Sequence, residues 1–166
     1  MYRRTKDFIK DWAYESSKTT EYFKNITNEV LLKKDHENVR SIARLCWHIT
    51  ITVSEMMNKA GLEISGPDDD SQPPATIQEI IDTFESLSTQ LSSQVEANWV
   101  DATLVEKIEM YGELWSKGGT LNVLVKHMAH HRGQLSILMR QSGCKVPGVY
   151  GPSKEEWAIM HLPPME

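Results

Sequence analysis

Apolar side chains recur every three or four positions along four long stretches of the chain, a spacing typical of amphipathic helices. In the third stretch, for example, Ile80, Phe84, Leu87 and Leu91 fall on one helical face. The stretches are bounded by residues that favour turns, so each predicts a separate helix. The predicted helices span about Lys6–Leu32, Val39–Ala60, Ile77–Trp99 and Leu121–Ser142.

The ends of these helices carry recognisable signals. Glycines follow the second and fourth helices at Gly61 and Gly143, where glycine commonly ends a helix. Ser153 and Glu156 form a capping box that predicts a short fifth helix. Strand patterns are weak, with some extended character at Glu106–Trp115. Residues able to cap an N-terminus stand at the four predicted starts: Thr5, Asn38, Thr76 and Thr120.

The connections between the helices predict their order in space. The Pro- and Asp-rich segment Gly61–Ala75 would reach roughly 50 Å when extended, whereas its neighbouring helices are each about 33 Å long. It can therefore run back along the bundle and start the third helix parallel to the second. Val100–Gly119 is also long enough to cross over and should contain local structure. We predict an all-α, up-down-down-up four-helix bundle with a short C-terminal helix.

Composition and charge narrow the class of protein. The chain has 166 residues, 40% of them hydrophobic and 25% charged, which predicts a single globular domain over residues 1–166. Its formal charge is −5, and its one basic cluster is Arg3, Arg4 and Lys6. That balance argues against nucleic-acid binding, which draws on clustered cations. We find neither a signal-peptide pattern nor a membrane-spanning stretch, and therefore predict a cytoplasmic protein.

The fourth predicted helix carries a pair of histidines with metal-ligand spacing. His127 and His131 are four residues apart, so they stack on one face of a helix. That face is the apolar one, which contains Leu124, Leu135 and Leu138. Two such imidazoles can bind one ion at about 2.0–2.1 Å. The alternative is a pair of buried histidines, each satisfied by a hydrogen bond.

A third histidine strengthens the metal hypothesis. His48 is close to the middle of the second helix, as His131 is close to the middle of the fourth. Neighbouring helices of similar length would hold these midpoints at one height, and bundle cores commonly hold metal sites. Three histidine ligands leave one or two positions for water or substrate. Zinc, nickel, iron and manganese all fit such a site.

Three further side chains are candidates for supporting roles. Gln134 shares the face of His127 and His131, so it either hydrogen-bonds a ligand ring or a bound water, or is an ordinary polar residue at the rim. Arg132 either pairs with a carboxylate on a helix or meets an anionic substrate. Glu55 is seven residues beyond His48, which places it either above the site or on the exposed surface.

The other potentially reactive residues are not expected to take part in the site. Met128 follows His127 where a zinc protease would carry its general-base glutamate, so a metalloprotease is not expected. The two cysteines, Cys46 and Cys144, are isolated and predicted to be reduced thiols. The remaining histidines are expected on the surface: His36, His130 and His161.

These motifs resemble those of a known family. The pattern HxxxHRxQ, here His127, His131, Arg132 and Gln134, follows an earlier histidine, His48, on the second helix. This arrangement resembles the DinB/YfiT-like metalloproteins, and the tail VPGVYGPSKEEW at residues 146–157 is similar to tails of bacterial members. The resemblance spans essentially the whole chain.

The resemblance carries expectations about structure and chemistry. It implies an up-down-down-up bundle, one divalent metal ion (nickel or zinc most often) on His48, His127 and His131, and a homodimer. Some members are thiol S-transferases or isomerases that use mycothiol, bacillithiol or glutathione.

We therefore carry two functional hypotheses. The first is a metal-dependent enzyme, a thiol S-transferase or a hydrolase, whose partners are a small electrophile and a low-molecular-weight thiol. The second is a non-catalytic metal-binding protein of a stress response. In both, metal affinity should fall below about pH 6, because the ligands must be neutral to bind.

Overall fold

The computed structural model describes residues 1–163 and contains the four long helices that the apolar pattern predicts. A small antiparallel hairpin precedes the last long helix, and a short helix follows it. The all-α class and the short C-terminal helix are thus confirmed. The elements are α1 (Thr5–Lys24), α2 (Ile42–Lys59), α3 (Ile77–Asn98), β1 (Lys107–Met110), β2 (Glu113–Ser116), α4 (Lys117–Gln141) and α5 (Lys154–Ile159).

Contacts at the helix ends define the direction of α1, α3 and α4. Thr5 at the start of α1 donates its N–H to Asp101, just beyond the end of α3, at 2.9 Å. At the other end, the N–H of Ile77 donates to Asn28, just beyond the end of α1, at 2.9 Å. Helices α1 and α3 are therefore antiparallel. Tyr2 donates to the carbonyl of Gly118 at 3.1 Å, so α1 and α4 start together and run parallel.

The segment between α2 and α3 is the long crossover that its length predicts. Gln94, late in α3, donates to the carbonyl of Glu63 at 2.9 Å, and Gln90, one turn earlier, donates to that of Ser65 at 3.1 Å. Farther along, Ser71 accepts from the indole N–H of Trp47 near the start of α2 at 3.1 Å. The segment thus runs back along the bundle, α2 and α3 are parallel, and the up-down-down-up order is confirmed.

The first helix is shorter than its apolar pattern predicts. It ends at Lys24 and not at Leu32, because the chain leaves the helix at Asn25 and forms a 3-10 turn over Asn28–Val30. Ile26, just before that turn, and Val30, at its end, remain buried, with 4% and 8% of their surface exposed. Their spacing therefore imitates a continuing helix although the backbone has turned.

Two predicted N-caps are wrong by one turn. Ser41, and not Asn38, caps α2, by accepting the N–H of Arg44 at 3.2 Å. Ser116, and not Thr120, caps α4, by accepting the N–H of Gly119 at 3.1 Å. In α4 the first turn contains Gly118 and Gly119, and because glycine disfavours helix interiors the sequence pattern placed the start of that helix after them.

The structure supplies a reason for one of these glycines. A β-carbon on Gly118 would be 2.3 Å from the carbonyl oxygen of Tyr2, so only glycine lets the N-terminal segment pack there. Of the other predicted caps, Thr76 forms a capping box with Glu79. The predicted cap at Thr5 is wrong by one residue, because Thr5 is the first residue of α1 and Arg4 occupies the cap position.

The extended character near residue 110 belongs to the hairpin of β1 and β2. Its two-residue turn places Tyr111 and Gly112 at φ of 55° and 82°, the left-handed conformation of the turns that suit hairpins. The Tyr111 hydroxyl donates to the carboxylate of Glu55 on α2 at 2.8 Å. The hairpin is thus tied to the α2–α4 side of the bundle. Among residues 1–163, no helix is long and apolar enough to cross a bilayer.

Candidate metal centre

Helices α2 and α4 pack as antiparallel neighbours and bring three histidines to one point. His127 and His131 are one turn apart on α4 and project toward α2, where His48 projects back. His131 is buried, with 8% of its surface exposed, and the other two are half-buried. The structure therefore brings together all three histidines that the sequence predicts as metal ligands.

The three imidazoles meet through the same ring atom. The Nε2 of His48 is 3.2 Å from that of His127 and 3.1 Å from that of His131. The Nε2 atoms of His127 and His131 are also 3.1 Å apart. The rings stand at 63° to 86° to one another, so each presents its edge to the common centre.

This triangle of nitrogens has the dimensions of a metal-binding face. Ligands at about 2.0–2.1 Å from a common ion are about 3.3 Å apart in tetrahedral geometry and about 2.9 Å apart at right angles. The Nε2 spacings of 3.1 Å and 3.2 Å lie between these values. The three residues fit a divalent ion, and three ligands leave one or two coordination positions for other groups.

Gln134 determines which nitrogen of His131 is available. Its Oε1 accepts a hydrogen bond from the Nδ1 of His131 at 2.7 Å. Nδ1 therefore carries the proton, and the lone pair of Nε2 points into the triangle. The amide nitrogen of Gln134 is 3.1 Å from the Nε2 of His130, which fixes the amide from its other side. The sequence left Gln134 as either a partner of a ligand ring or an ordinary polar residue at the rim. The structure shows the first, because Gln134 is hydrogen-bonded to His131.

Burial keeps the three imidazoles neutral. It lowers the pKa of His48 and of His127 to about 4, and the positive charge of Arg40 and the neighbouring rings add to the shift. The pKa of His131 is also lowered by burial, although its hydrogen bond to Gln134 opposes the change. Neutral imidazole is the form that binds a metal.

One nitrogen of the triad has no partner within the protein. The Nδ1 of His127 is buried, and no group among residues 1–163 lies within hydrogen-bonding distance of it. Leaving a buried polar atom unpaired costs about 1–3 kcal/mol. The tautomer that frees Nε2 to bind an ion carries its proton on this Nδ1, which therefore remains an unpaired donor.

Arg132 lies in the core, where its side chain binds protein groups and not a ligand. It is buried with 2% of its surface exposed, and its guanidinium forms an ion pair with Glu15 on α1. It also donates to the Thr19 hydroxyl at 3.1 Å and to the hydroxyl of Tyr150 in the C-terminal segment at 2.8 Å. Of the two sequence-based roles, carboxylate pairing is confirmed, and it anchors the turn of α4 that carries His131.

A cavity of about 480 Å³ opens beside His48 and His127. Glu55, Tyr111 and Trp115 line it together with these two histidines. Glu55 accepts hydrogen bonds from Tyr111 and from the ammonium of Lys59. The glutamate thus lies beside the site, in a network that the sequence pattern did not reveal because Tyr111 comes from the hairpin.

The remaining candidates take their predicted places. His36, His130 and His161 are exposed, and Cys46 is buried away from the triad, where burial raises the pKa of its thiol. In the described part of the chain, the single group of three or more potential metal ligands within 4.8 Å of one another is the triad.

A four-helix bundle with three converging histidines between α2 and α4 defines a class of candidate metal-binding proteins. The profile of the DinB family matches residues 1–165, and the chain belongs to that family. The resemblance inferred from the HxxxHRxQ motif is therefore confirmed.

Individual relatives agree with this assignment. The chain is 33% identical over 162 residues to the uncharacterized protein YrdA of Bacillus subtilis, covering 98% of this chain and 97% of that protein. It also resembles the crystal structure of a DinB-like protein from Bacillus cereus, with a TM-score of 0.86, 29% identity, and coverage of 90% of this chain and 100% of the other. A second DinB-like structure, YjoA of B. subtilis, shares the fold at a TM-score of 0.68 and 16% identity, covering 86% of this chain and 97% of the other.

Proposed function

We propose that this protein binds one divalent metal ion on His48, His127 and His131 and acts as a metal-dependent thiol S-transferase on small electrophiles. The observation that carries the metal site is the triangle of Nε2 atoms spaced 3.1–3.2 Å apart, built from neutral imidazoles. Three histidine ligands with an open side are typical of catalytic sites and not of closed structural ones.

Nickel and zinc are the ions we favour, and iron and manganese also suit imidazole ligands. A bound divalent ion would lower the pKa of a thiol or water that it binds, which makes a nucleophile available near neutral pH. The cavities beside the triad supply room for the reactants.

The chain's own residues would prepare this chemistry. Gln134 holds the ring of His131 so that its Nε2 lone pair points to the centre. The Arg132–Glu15 ion pair fixes the neighbouring position on α4 against α1. Trp115 and Tyr111 pack edge to face and line one wall of the cavity. In the proposed transfer an S–C bond forms, the bond to the leaving group breaks, that group takes the electron pair, and the thiol proton passes to solvent.

The metal site is tested by elemental analysis of protein purified without a histidine tag. We expect about one equivalent of divalent metal in the wild type and its loss in His127→Ala, with helical circular dichroism retained. The matched control is His36→Ala, an exposed histidine outside the triad, which should keep the metal. An alanine variant of the triad that binds the ion with unchanged affinity would exclude this ligand set.

Catalysis is tested separately, with the metal-loaded protein. Bacillithiol, mycothiol and glutathione are each incubated with a panel of electrophiles, and loss of free thiol is followed with and without metal. Turnover that requires the metal and disappears in His127→Ala supports the transferase, and metal-dependent hydrolysis without thiol would indicate a hydrolase. A metal-loaded protein that turns over no substrate in the panel would favour the non-catalytic, stress-response alternative.

The remaining assignments extend the same proposal. We infer a homodimer in the cytoplasm, with a small molecule and a low-molecular-weight thiol as partners. Light scattering of the metal-loaded protein tests the dimer, since a monomeric mass at micromolar concentration would exclude it. The acidic charge of −5 continues to argue against nucleic acid as a partner.

A further inference from the structure

The chain after α4 lies across the outside of the bundle as a strap, a name we use for residues 144–159. Its helix, α5, contains no buried residue, and in this described segment Val146 is the one buried side chain, with 7% of its surface exposed. A cavity of about 520 Å³ lies between the strap and helices α1 and α4. Segments with so few buried apolar contacts open at low free energy, so the polar contacts of the strap decide how firmly it is closed.

One of these polar contacts, made by Tyr150, reaches the interior of the bundle. Tyr150 is 71% exposed, but its hydroxyl meets the buried ion pair of Arg132 and Glu15. The hydroxyl accepts a hydrogen bond from Arg132 at 2.8 Å and donates one to the carboxylate of Glu15 at 2.9 Å. Arg132 and Glu15 are 2% and 7% exposed. A surface residue of the strap thus bridges both members of a buried pair.

Arg132 connects this contact to the metal centre. It directly follows His131 on α4, and the two side chains leave the helix in different directions. His131 meets His48 on α2, whereas Arg132 meets Glu15 on α1. When the strap opens, Arg132 loses the hydroxyl of Tyr150 and water gains access to the ion pair. The turn of α4 that carries His131 is then held less firmly on its α1 side.

A metal ion on the triad would restrict the same turn from its α2 side, because it would fix the ring of His131. An element that is already restricted loses less conformational entropy when a second contact forms, which makes the two contacts cooperative. Such cooperativity is reciprocal. Metal binding would therefore stabilise the closed strap, and the closed strap would raise the affinity for the metal by the same factor.

We propose that metal binding at the triad stabilises the closed strap, and that Tyr150 is the positioning residue through which the two communicate. This inference rests on the metal binding in the proposed function and is independent of catalysis. It adds a form of regulation to the site. The strap of the metal-free protein opens more often, which uncovers the cavity beneath it and the Arg132–Glu15 pair.

Hydrogen exchange of α5 in the full-length protein measures how often the strap opens. A helix of six residues is not stable by itself, so its amides are protected only while the strap is closed. NMR follows the amides of Trp157 and Met160, which donate to the carbonyls of Ser153 and Glu156 at 3.1 Å, with and without zinc(II). Zinc should slow their exchange about fivefold, at the low end of the coupling commonly found between two sites.

Two tyrosine substitutions separate coupling from simple attachment. Tyr150→Phe keeps the ring but removes the hydroxyl, so zinc should no longer slow the exchange of α5, and the zinc affinity should fall about fivefold. Tyr14→Phe is the matched control, because the Tyr14 hydroxyl donates to the carbonyl of Val149 in the strap. That variant should speed exchange equally with and without zinc. A merely structural contact changes both rates alike, whereas coupling changes their ratio.

The outcomes separate this inference from the metal site beneath it. If zinc binds the wild type but leaves the exchange of α5 unchanged, or if Tyr150→Phe keeps the effect of zinc, the coupling is wrong and the metal site stands. If zinc still slows exchange in His127→Ala, it acts at another place and the coupling is also wrong. If zinc does not bind the wild type, the proposed function and this inference fail together. Circular dichroism verifies that each variant is folded.

Discussion

At the residue scale, the hydrogen bond between Gln134 and His131 is a small contact with a large expected effect on the metal. In Gln134→Ala, the Nδ1 proton of His131 loses its acceptor, so the ring is free to turn and to change tautomer. Loss of such a partner typically lowers metal affinity by about 10- to 100-fold. We expect a decrease in that range, measured by competition with a chromophoric chelator at neutral pH.

The control for this prediction is another glutamine of the same helix. Gln141 is exposed, seven positions beyond Gln134, and no side-chain hydrogen bond to it occurs within residues 1–163. Gln141→Ala should therefore leave the metal affinity unchanged. Equal losses in the two variants would mean that helix α4 was perturbed as a whole.

The neutral histidines also predict how the metal-free protein responds to acid. Their ordinary pKa is 6.5, and in the folded state those of His48 and His127 are about 4. Between these values the unfolded chain binds protons that the folded chain does not, so protonation favours unfolding. The free energy of unfolding should be highest above about pH 6.5 and should fall as the pH drops toward 4. Urea titrations across this range measure it.

A substitution that removes one titrating ring provides the comparison. His127→Asn has no group that is protonated in this range, so its stability should decline less steeply with falling pH than that of the wild type. Ordinary histidines would start to lose the metal to protons at about pH 6. Because the pKa values of His48 and His127 are lowered to about 4, this loss should begin at a lower pH in this protein. A wild type whose stability is constant from pH 6.5 to 4 would contradict the burial of neutral rings.

The sequence was sufficient to find the triad and Gln134 but not the residues that irregular segments bring to the site. His127 and His131 are one helical turn apart, and helix periodicity converts that spacing directly into a shared face. Arg40 and Tyr111 lie in irregular segments, a loop and a hairpin turn. No period connects such residues to the face of a helix, so only the folded backbone reveals that they border the site.

At the scale of elements, the Arg132–Glu15 pair joins α4 to α1 inside the bundle. The exposed fractions of the two side chains are 3% and 9%. Arg132→Met would leave the carboxylate of Glu15 buried without its cation, and breaking such a pair typically costs about 3–5 kcal/mol. We expect that loss in the free energy of unfolding from urea denaturation. Combining Arg132→Met with Glu15→Leu should recover much of it, because both charges are then absent.

The Arg140–Glu155 pair between α4 and α5 is a comparison at the surface. Each of its side chains is 36% exposed, and one of its two hydrogen bonds is 2.8 Å long. Water screens such a pair, so Arg140→Ala should change the free energy of unfolding by no more than about 1 kcal/mol. If both arginine substitutions had equal effects, burial would not be what makes the internal pair important.

The errors in element boundaries have a common physical origin. The end of α1 was misplaced because Ile26 and Val30 stay buried in a turn, and the start of α4 because Gly118 resembles a helix breaker. In both places a tertiary contact overrides the local preference of the sequence. By contrast, α3 has a capping box at Thr76 and an uninterrupted apolar face, and its predicted bounds agree with the structure to within one residue.

At the scale of the whole molecule, the crossover between α2 and α3 depends on close packing at Gly66. A β-carbon there would be 2.8 Å from Leu87 and 2.9 Å from the hydroxyl of Ser54, so the crossover has no room for it. Gly66→Ala should lower the free energy of unfolding by about 1–3 kcal/mol, as overpacking commonly does. Chemical denaturation measures the change.

Gly133 offers the opposite case within the same protein. It lies inside α4 on the exposed side, and a β-carbon there would have no atom within 4 Å. Since alanine is the better helix former by about 0.8–1.0 kcal/mol, Gly133→Ala should be stabilising. If both alanine substitutions were stabilising, the packing described for the crossover would be wrong, and if both were destabilising, the open space at Gly133 would be wrong.

The up-down-down-up order separates His48 from its two companions by 79 and 83 positions along the chain. A growing polypeptide that has not yet reached residue 127 holds a single imidazole of the three, too few for a tight chelate. Contacts between such distant segments form slowly, since long loops must close first. Under the proposed metal binding, unfinished chains and N-terminal fragments should therefore not compete for cellular metal, and only completed chains should take up the ion.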